Sequence, residues 1–252
     1  MANTNKSIIG SEETNQYKLE IVSPEELLAK YCKPTELPKG SSKVRTPKKE
    51  EQVTQPINQT ETPKEKDNYI YVPSINLWVS KERNYLNSNF NQCKSQLHSN
   101  NERMPTIPEF REFLNYTKIN AQDIYKEITE VRNPWRSEWL DADFKLEGKD
   151  LFMYYHEFDS NGKIIPKKVK LDSDTLRENK TPGISLDSWL ADATSQGLPK
   201  KGIANGSLYY WQPGTDNNSV ARFWANSGGA DLNCDGGPSD SGGNLGVRAV
   251  RR

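Results

Sequence analysis

The most regular pattern of apolar and polar positions lies near the C-terminal end of the chain, between residues 220 and 250. Apolar residues occupy alternate positions there, in three successive runs. Successive side chains of a β-strand point to opposite faces, so this period predicts three strands that each turn one face into a core. We call the residues predicted to point inward the framework residues: Ala221, Phe223, Ala225, Ala230, Leu232, Cys234, Leu245, Val247 and Ala249.

Further strands are predicted upstream of this segment. Residues 69–79 are rich in aromatic and β-branched types but contain Pro73, which predicts a single edge strand or a bulged strand. Residues 151–158 and 163–171 flank an Asn-Gly pair, which is typical of a hairpin turn. Residues 207–211 predict another strand. Its aromatic residues are Tyr209, Tyr210 and Trp211. We expect them to pack in the core; the alternative is that they form a binding platform.

Helix signals lie mostly in the first half of the same region. Thr106, with a Glu three positions later, predicts the start of one helix. Asn120 is predicted to cap a second helix, and residues 185–194 predict a short third one. Trp135 and Trp139 are expected to seal the helices against a sheet. Because helices come early and strands dominate late, we predict an α+β domain with a mainly antiparallel sheet and two or three helices.

The predicted domain covers residues 68–252, and residues 1–67 differ from it in composition. This first segment is polar and Pro-rich and has almost no aromatic residues, which predicts a disordered tail and linker. One part of it, residues 24–31, has the Ser, Pro and Glu pattern of a helix start. Its small apolar face leaves two interpretations open: a helix that frays without a role, or a docking element for a partner.

Composition and charge exclude several classes of function. The 34 basic and 34 acidic residues cancel, so no overall field favours nucleic acid or an anionic membrane. The 3 cysteines are far apart and lack the spacing of a zinc site or a disulfide framework. The chain also lacks a signal peptide and an apolar run of membrane-spanning length, so we expect no membrane insertion and a location in the cytoplasm or in a virus particle.

Within residues 226–244, the positions between the framework residues, apart from Pro238, use only four residue types: Asn, Ser, Asp and Gly. These types share a genetic property, because changing the adenines of the Asn codon AAC to guanine yields Ser, Asp or Gly and no other residue. A mutator that acts on adenines, applied to a scaffold of alternating core residues, would leave this pattern. The residues concerned lie within 226–244.

Residues 221–248, A-R-F-W-A-N-S-G-G-A-D-L-N-C-D-G-G-P-S-D-S-G-G-N-L-G-V-R, resemble the variable region of proteins diversified by diversity-generating retroelements. The resemblance is to the archaeal and archaeal-virus type and, more distantly, to phage tropism-determinant proteins. Upstream motifs that support it are M-P-T-I-P-E-F, G-I-S-L-D-S-W-L and Y-Y-W-Q-P. It covers roughly residues 68–252 and implies a C-type-lectin-like fold.

The resemblance also implies a function, which is non-catalytic recognition of a protein or glycan target without a cofactor or metal. Trp224 is included among these positions, but its codon cannot arise from AAC by adenine changes, so it is expected to be a residue of the scaffold or of the rim. The small residues offer few large anchors for binding. The variable positions implied as ligand-binding are Trp224, Asn226, Gly228, Gly229, Asp231, Asn233, Asp235, Gly236, Gly237, Asp240, Gly242, Gly243 and Asn244.

Two metal-dependent alternatives remain at this stage. D-L-N-C-D-G, residues 231–236, matches the opening of an EF-hand loop, but its twelfth position is Gly242 rather than the bidentate acid that calcium needs. A calcium-dependent lectin is the other, since Q-P-G-T-D-N at 212–217 loosely resembles a lectin calcium motif.

An enzyme related to formylglycine-generating enzymes is the remaining alternative class. It would need a pair of reactive cysteines near the C-terminus, whereas Cys234 has no cysteine neighbour and is expected to be buried. His156 is expected to be a packed or hydrogen-bonded residue rather than a base. Asp141 and Asp143 are expected in a solvated turn, and Arg248 in a structural ion pair.

Overall fold

The computed structural model describes residues 68–130 and 133–252, so the tail and its helix at 24–31 lie outside the described residues. Four helices are present in the described part of the chain, one more than the upper number that we predicted: α1 (Phe90–Ser99), α2 (Ile107–Asn120), α3 (Gln122–Thr129) and α4 (Leu186–Ala191). The strands are β1 (Tyr69–Val72), β2 (Leu77–Ser80), β3 (Arg136–Glu147), β4 (Asp150–Phe158), β5 (Ile164–Lys170), β6 (Lys180–Ile184), β7 (Leu208–Trp211), β8 (Ser219–Asn226), β9 (Gly229–Gly236), β10 (Leu245–Val247) and β11 (Val250–Arg251).

An eight-stranded sheet organises the fold in the order β5-β4-β3-β8-β9-β7-β6, with β10 paired to β3. Most of the pairs are antiparallel; β7 with β9 and β10 with β3 are parallel. The predicted hairpin is present as β4 and β5, and Pro166 lies on the edge strand β5, where its missing N–H costs no ladder bond. The α+β class with a mostly antiparallel sheet is therefore confirmed. Within the described residues, no helix is both long enough and apolar enough to cross a membrane.

A separate small sheet joins the two ends of the described region in the order β1-β2-β11. β1 and β2 form a hairpin whose turn contains Pro73 and Asn76, the latter with a φ of 53°. The prediction of one strand over 69–79 is therefore wrong, because the proline lies in a turn rather than inside a strand. β11 pairs with β2, with Val250 opposite Val79.

The helix ends agree with the sequence in part. Thr106 caps α2 in a capping box with Glu109, as predicted, and Ser185 caps α4. Asn120 does not cap α3: it is the last residue of α2, and Ala121 holds the cap position without a side-chain hydrogen bond. The sequence prediction missed α1, which begins with a capping box between Asn89 and Gln92.

Apolar clusters lie on both faces of the eight-stranded sheet. One face packs against α2 and α4, and there the Phe223 ring lies 5.2 Å from Phe110 and stacks on Trp189 at 6.1 Å between centroids. The other face carries a second apolar cluster under α1, in which the Phe90 ring lies 5.8 Å from Trp139. Only part of this second face is covered by α1, and the remaining part carries the variable positions.

Three predictions for residues 135–143 need correction. Trp139 is buried as expected, but Trp135 is 38% exposed and packs beside Trp224 instead of sealing a helix layer. Asp141 and Asp143 do not lie in a solvated turn, because both belong to β3. Asp141 is buried and binds the backbone N–H and the ring Nδ1 of His156 at 2.9 and 3.1 Å. The expectation that His156 is hydrogen-bonded is confirmed.

A buried ionic cluster anchors the end of the L-G-V-R motif. Glu138, which is 0% exposed, lies 2.6 Å from Arg136 Nη2 and 2.9 Å from Arg248 Nε. Burial by itself would raise the pKa of Glu138, but the two guanidinium groups outweigh it, so the pKa lies below its usual value. Arg248 also pairs with Glu127 at 2.8 Å. The prediction that Arg248 is a structural ion-pair residue is confirmed.

Candidate functional site

The framework residues are the foundation of the site, and the structure confirms that they are buried. They lie in two clusters: Ala221, Phe223, Ala230, Leu232 and Cys234 pack in the main core, whereas Leu245, Val247 and Ala249 pack in the second apolar cluster under α1. All nine are buried, with exposed fractions of at most 7%. They lie on β8, β9 and β10 and in the short connection to β11. Leu232 lies opposite Phe223 across the β8–β9 pair, so the two strands turn the same side to the core. The core packing that stabilises β8 and β9 therefore comes mainly from residues that are not variable positions. The few variable positions that are also buried are given below.

The residues between them form what we call the outward face, on the opposite side of β7, β8 and β9. Register fixes their neighbours: Trp224 lies opposite Asp231, and Arg222 lies opposite Asn233. On the other side of β9, the parallel strand β7 places Trp211 beside Asn233. Tyr210 is fully buried under this face, whereas Tyr209 and Trp211 are half-buried on it. Tyr210 therefore packs in the core, as expected, whereas Tyr209 and Trp211 contribute to the surface of the outward face.

The loop over residues 237–244 continues the outward face, and its backbone is held by hydrogen bonds. The carbonyl of Pro238 accepts from the Phe90 N–H at 3.2 Å, and the carbonyl of Gly242 accepts from the Asn87 N–H at 3.1 Å. The carbonyl of Asn244 accepts from Ser137 N–H at 2.8 Å. Because these contacts use main-chain atoms of the loop, they do not depend on which side chains the loop carries.

Exposure divides the variable positions into three groups. Four are exposed: Gly228, Asp235, Asp240 and Gly243. Six are half-buried: Trp224, Asn226, Gly229, Gly237, Gly242 and Asn244. The expectation of open solvent exposure is wrong for the remaining three: Asp231 (3% exposed), Asn233 (6%) and Gly236. The alternating pattern correctly placed Asp231 and Asn233 on the outward face. Both are buried because the large side chains of Trp211, Arg222 and Trp224, on the neighbouring strands, cover them.

Space at the glycines also differs among the variable positions. A Cβ at Gly242 would lie 3.7 Å from the Trp135 ring, and one at Gly243 would lie 3.7 Å from the Asn87 side chain. Both are ordinary contact distances, so these positions accept larger residues. At Gly236 a Cβ would lie 3.1 Å from the Val220 carbonyl oxygen, and Gly229 has a φ of +131° that L-residues rarely adopt. Gly229 and Gly236 are therefore constrained by the backbone.

Asp231 is the electrostatic centre of the outward face. Its Oδ2 accepts a hydrogen bond from the Trp211 indole at 3.1 Å, and its neighbour across β8 is Trp224. Burial raises the pKa of Asp231 from 3.8 to about 6, although the two indole N–H groups and Arg222 act in the opposite direction. Partial loss of hydration likewise raises the pKa of Asp235, although this residue is exposed. The fold therefore holds the buried Asp231 carboxylate at a cost in stability.

We expect Asp231→Asn to stabilise the protein at neutral pH. Since the folded state disfavours the ionised carboxyl, the contribution of Asp231 to stability is highest below pH 3.8 and falls as the pH rises through about 6. The variant should gain up to about 3 kcal/mol of unfolding free energy at pH 7.5 and almost nothing at pH 3.5. Urea denaturation at both pH values measures this difference. A variant less stable than the parent at pH 7.5 would show that Asp231 is a stabilising residue.

Arg222 links the aromatic and acidic residues of the face. Its guanidinium lies 2.8 Å from Asp240, 5.3 Å from the Trp224 ring centroid and 5.8 Å from that of Trp139. Trp135 meets Trp224 edge-on at 6.2 Å. Sequence reasoning did not assign Arg222, Trp135 or Trp211 to the site. Arg222 lies two positions before Trp224 on β8, so the alternating pattern places both side chains on the outward face. This pattern is the signal that could have identified Arg222.

Several buried polar atoms of the outward face have no hydrogen-bond partner. Asn233 Oδ1 and Arg222 Nε are among them, and so are Asp231 Oδ1 and Trp224 Nε1: the Trp224 indole N–H is close enough to the Asp231 carboxyl to lower its pKa, but the geometry of this contact falls short of a hydrogen bond. Buried polar groups are almost always paired in folded proteins, and leaving one unpaired costs about 1–3 kcal/mol. Unpaired groups gathered on one face are what a site retains when its partners come from a ligand.

The alternative chemistries meet specific obstacles in the structure. Residues 229–236 form the strand β9 rather than a loop, so Asp231 and Asp235 lie along an extended chain and do not enclose one ion as an EF-hand loop does. Cys234 is fully buried, as predicted, and burial raises the pKa of its thiol well above the usual value, which suits a core residue and not a nucleophile. Among residues 68–130 and 133–252, no group of three or more His, Cys, Asp and Glu is arranged to hold a metal ion.

The two histidines of the chain form a cluster away from the outward face. The rings of His98 and His156 lie 4.7 Å apart between centroids, and Asp141 binds the Nδ1 of His156. Burial, followed by the neighbouring His156, lowers the pKa of His98. No cysteine, serine or threonine is bonded to either ring among the described hydrogen bonds, so the cluster lacks a nucleophile.

Comparison of the chain with protein-family models, with curated proteins and with solved structures found no match. The functional assignment of the site therefore depends on its own geometry. That geometry consists of a rigid framework, a loop held through its backbone, and a face of acidic, aromatic and small residues. The face offers hydrogen-bonding groups and aromatic rings, which are groups that ligand-binding sites use.

Proposed function

We propose that the protein is a non-catalytic recognition protein that binds a protein or glycan target through its outward face and the 237–244 loop. The observation that carries the proposal is the separation of two populations of residues. The framework residues are buried without exception, and most of the variable positions lie at least partly open, either on the other side of β8 and β9, in the turn between them or in the 237–244 loop. The structure thus offers a surface that can change while the fold is kept.

We further propose that this surface is diversified by adenine-directed mutagenesis of a retroelement type. Apart from Pro238, the outward positions of β9 and the 237–244 loop carry Asn, Ser, Asp and Gly, the residues that one mutated codon yields. Packing alone would not restrict exposed positions to these four types. A core substitution typically costs about 2–5 kcal/mol, whereas exposed substitutions usually cost within about 0.5 kcal/mol, so variation confined to this face is well tolerated.

A C-type-lectin-like fold is the form that we propose for the domain. Three features support it: the α+β class, the mostly antiparallel sheet, and the meeting of the first and last described strands, β1 and β11, on either side of β2. The last of these brings both ends of the domain together in a small sheet that contains none of the variable positions. In such an arrangement, changes in the loop leave the closure of the domain intact.

The two alternatives are less well supported. A calcium-dependent lectin is not favoured by the Q-P-G-T-D-N segment, because Asp216 is engaged by the backbone N–H of Asn218 at 3.1 Å and by the Ser219 hydroxyl at 2.9 Å. An enzyme of the formylglycine-generating type would need a reactive cysteine pair. Cys234 is buried in the apolar core, and Cys93 is buried in the second cluster under α1.

The direct test of diversification is the sequence of the genome around this gene. A template repeat should match the codons for residues 221–248 and differ only where the template has adenine. The differences should fall on the outward positions and leave the framework codons unchanged. Absence of such a repeat, or differences spread equally over framework codons, would contradict the proposal.

A further inference from the structure

We propose that the ligand of this particular variant presents a cationic group, such as a Lys or Arg side chain of a protein, to the outward face. This inference rests on the proposed function and specifies the chemistry of its ligand. It is based on three properties of the face: an excess of carboxylates, buried oxygen atoms without partners, and indole rings beside them.

The charge of the face is the first property. Between residues 219 and 244 the only basic residue is Arg222, whereas Asp231, Asp235 and Asp240 are acidic. Arg222 is already paired with Asp240 at 2.8 Å. Among the described ion pairs, neither Asp231 nor Asp235 has a cationic partner within salt-bridge distance, so two negative charges remain uncompensated.

The second property is the position of unpaired acceptors below the surface. Asp231 is 3% exposed, and only its Oδ2 accepts a hydrogen bond, while Oδ1 has no partner. The Oδ1 of Asn233, two residues further along the same side of β9, is also unpaired. Both unpaired atoms accept hydrogen bonds and cannot donate. These two acceptors require donors from a ligand, and an ammonium or guanidinium group supplies several at once, whereas the unpaired N–H groups of Trp224 and Arg222 on the same face require acceptors.

Indole rings form the third property. Trp211 and Trp224 lie on either side of Asp231, and Trp135 extends the aromatic surface beside Trp224. The face of an indole attracts cations more strongly than that of any other side chain. The site already shows this preference internally, because the Arg222 guanidinium lies 5.3 Å from the Trp224 ring centroid. A second cation on the free side of these rings would meet the uncompensated carboxylates.

Access to these groups depends on the small residues around them. Gly228, Gly237, Gly242 and Gly243 carry no side chain that could fold back over the carboxylates. A long, flexible side chain of a partner can therefore reach the exposed Asp235 directly, whereas it reaches Asp231 only by displacing one of the side chains that cover it, Trp211, Arg222 or Trp224. The scarcity of large anchors in this variant is thus compatible with binding through charge rather than through apolar burial.

The test uses two synthetic peptides and the full-length protein. One peptide alternates Gly with Lys and Arg, and the other has Glu in place of each basic residue. Binding is measured by isothermal calorimetry and by tryptophan fluorescence at low and high salt. We expect the basic peptide to bind at least about tenfold more tightly than the acidic one, and to lose most of its affinity at high salt because the charges are partly exposed.

Variants locate the binding on the outward face. Asp235→Asn and Asp231→Asn should each weaken binding of the basic peptide by about five- to tenfold. Asp187→Asn is the matched control, because Asp187 is an exposed carboxylate paired with Lys118 elsewhere on the surface, and it should leave the affinity unchanged. Asp231→Asn should weaken binding while the folded state becomes more stable, a combination that loss of folding cannot produce.

Equal binding of both peptides, no binding of either, or equal effects of the control and the Asp231 and Asp235 variants would overturn the inference. Such a result would leave the proposed function intact, because the genomic repeat tests diversification without reference to any ligand. Conversely, a missing repeat together with selective binding of the basic peptide would contradict the proposal of diversification and keep the cationic ligand.

Discussion

Leu232→Asp is expected to unfold the domain at 25 °C. Leu232 is 0% exposed and lies opposite Phe223 between β8 and β9, inside the main core. A carboxylate at this position would lose its hydration and find no described cation beside it, at a cost above about 4 kcal/mol. Single domains have unfolding free energies of about 5–15 kcal/mol, so this one change removes most of the stability.

The matched control lies on the same strand. Asp235 is exposed on the outward side of β9, and Asp235→Leu exchanges the same two residue types in the opposite direction. We expect the control to shift the unfolding free energy by less than about 1 kcal/mol. Urea denaturation followed by far-UV circular dichroism measures both variants. Similar losses in the two would mean that the faces of β9 are assigned wrongly.

Glu138→Gln is expected to have the next largest effect, a loss of about 3–5 kcal/mol. The substitution keeps the shape of the side chain and removes the charge that balances Arg136 and Arg248, which lie 2.6 and 2.9 Å away. Both arginines are buried, with Glu127 as their remaining acidic partner among the described ion pairs, so positive charge would be left without compensation. The loss should appear as a lower urea midpoint with an unchanged slope.

Two controls separate the loss of charge from the loss of shape at Glu138. Asp187→Asn breaks the exposed pair with Lys118 and should cost less than about 1 kcal/mol. The double variant Glu138→Leu/Arg248→Met removes a positive and a negative charge together and should recover at least half of the loss, because apolar residues of similar volume often replace buried ion pairs without penalty. If Glu138→Gln is as mild as Asp187→Asn, the cluster does not anchor β10.

The buried ionic cluster lies beside the point where the 237–244 loop returns to the sheet. Arg83 donates to the carbonyls of Ser137 at 3.1 Å and of Asn244 at 2.5 Å, at the end of the variable loop. Arg248 follows directly on β10, which pairs with β3 beside the same cluster. The ion pairs therefore fix the backbone at the point where the loop returns to the sheet, without using a variable side chain.

The alternating framework could be predicted from sequence because it depends on a local rule: neighbouring side chains of a strand face opposite ways. The same rule placed Asp231 and Asn233 on the outward side of β9. It could not show that both are buried, because their cover comes from Trp211, Trp224 and Arg222 on other strands. Burial depends on which strands become neighbours, and this information is not local.

Other errors have the same origin. Asp141 resembled a turn residue because charged residues are rare inside strands, and its partner His156 lies on β4, fifteen positions away in the chain. The helix α1 was missed although its capping box between Asn89 and Gln92 is visible in the sequence, since its apolar face is limited to Phe90, Cys93 and Leu97. That narrow face is stabilised by packing on the sheet, which the local pattern does not contain.

The most direct test of a changeable surface on a fixed framework is a comparison of two randomised libraries for resistance to protease. One library varies the open positions Asn226, Asp235, Asp240, Gly242 and Gly243; the other varies the framework residues Ala221, Phe223, Leu232, Cys234 and Val247. We predict that most members of the first library remain folded and that few members of the second do. Comparable folded fractions in the two libraries would contradict the account.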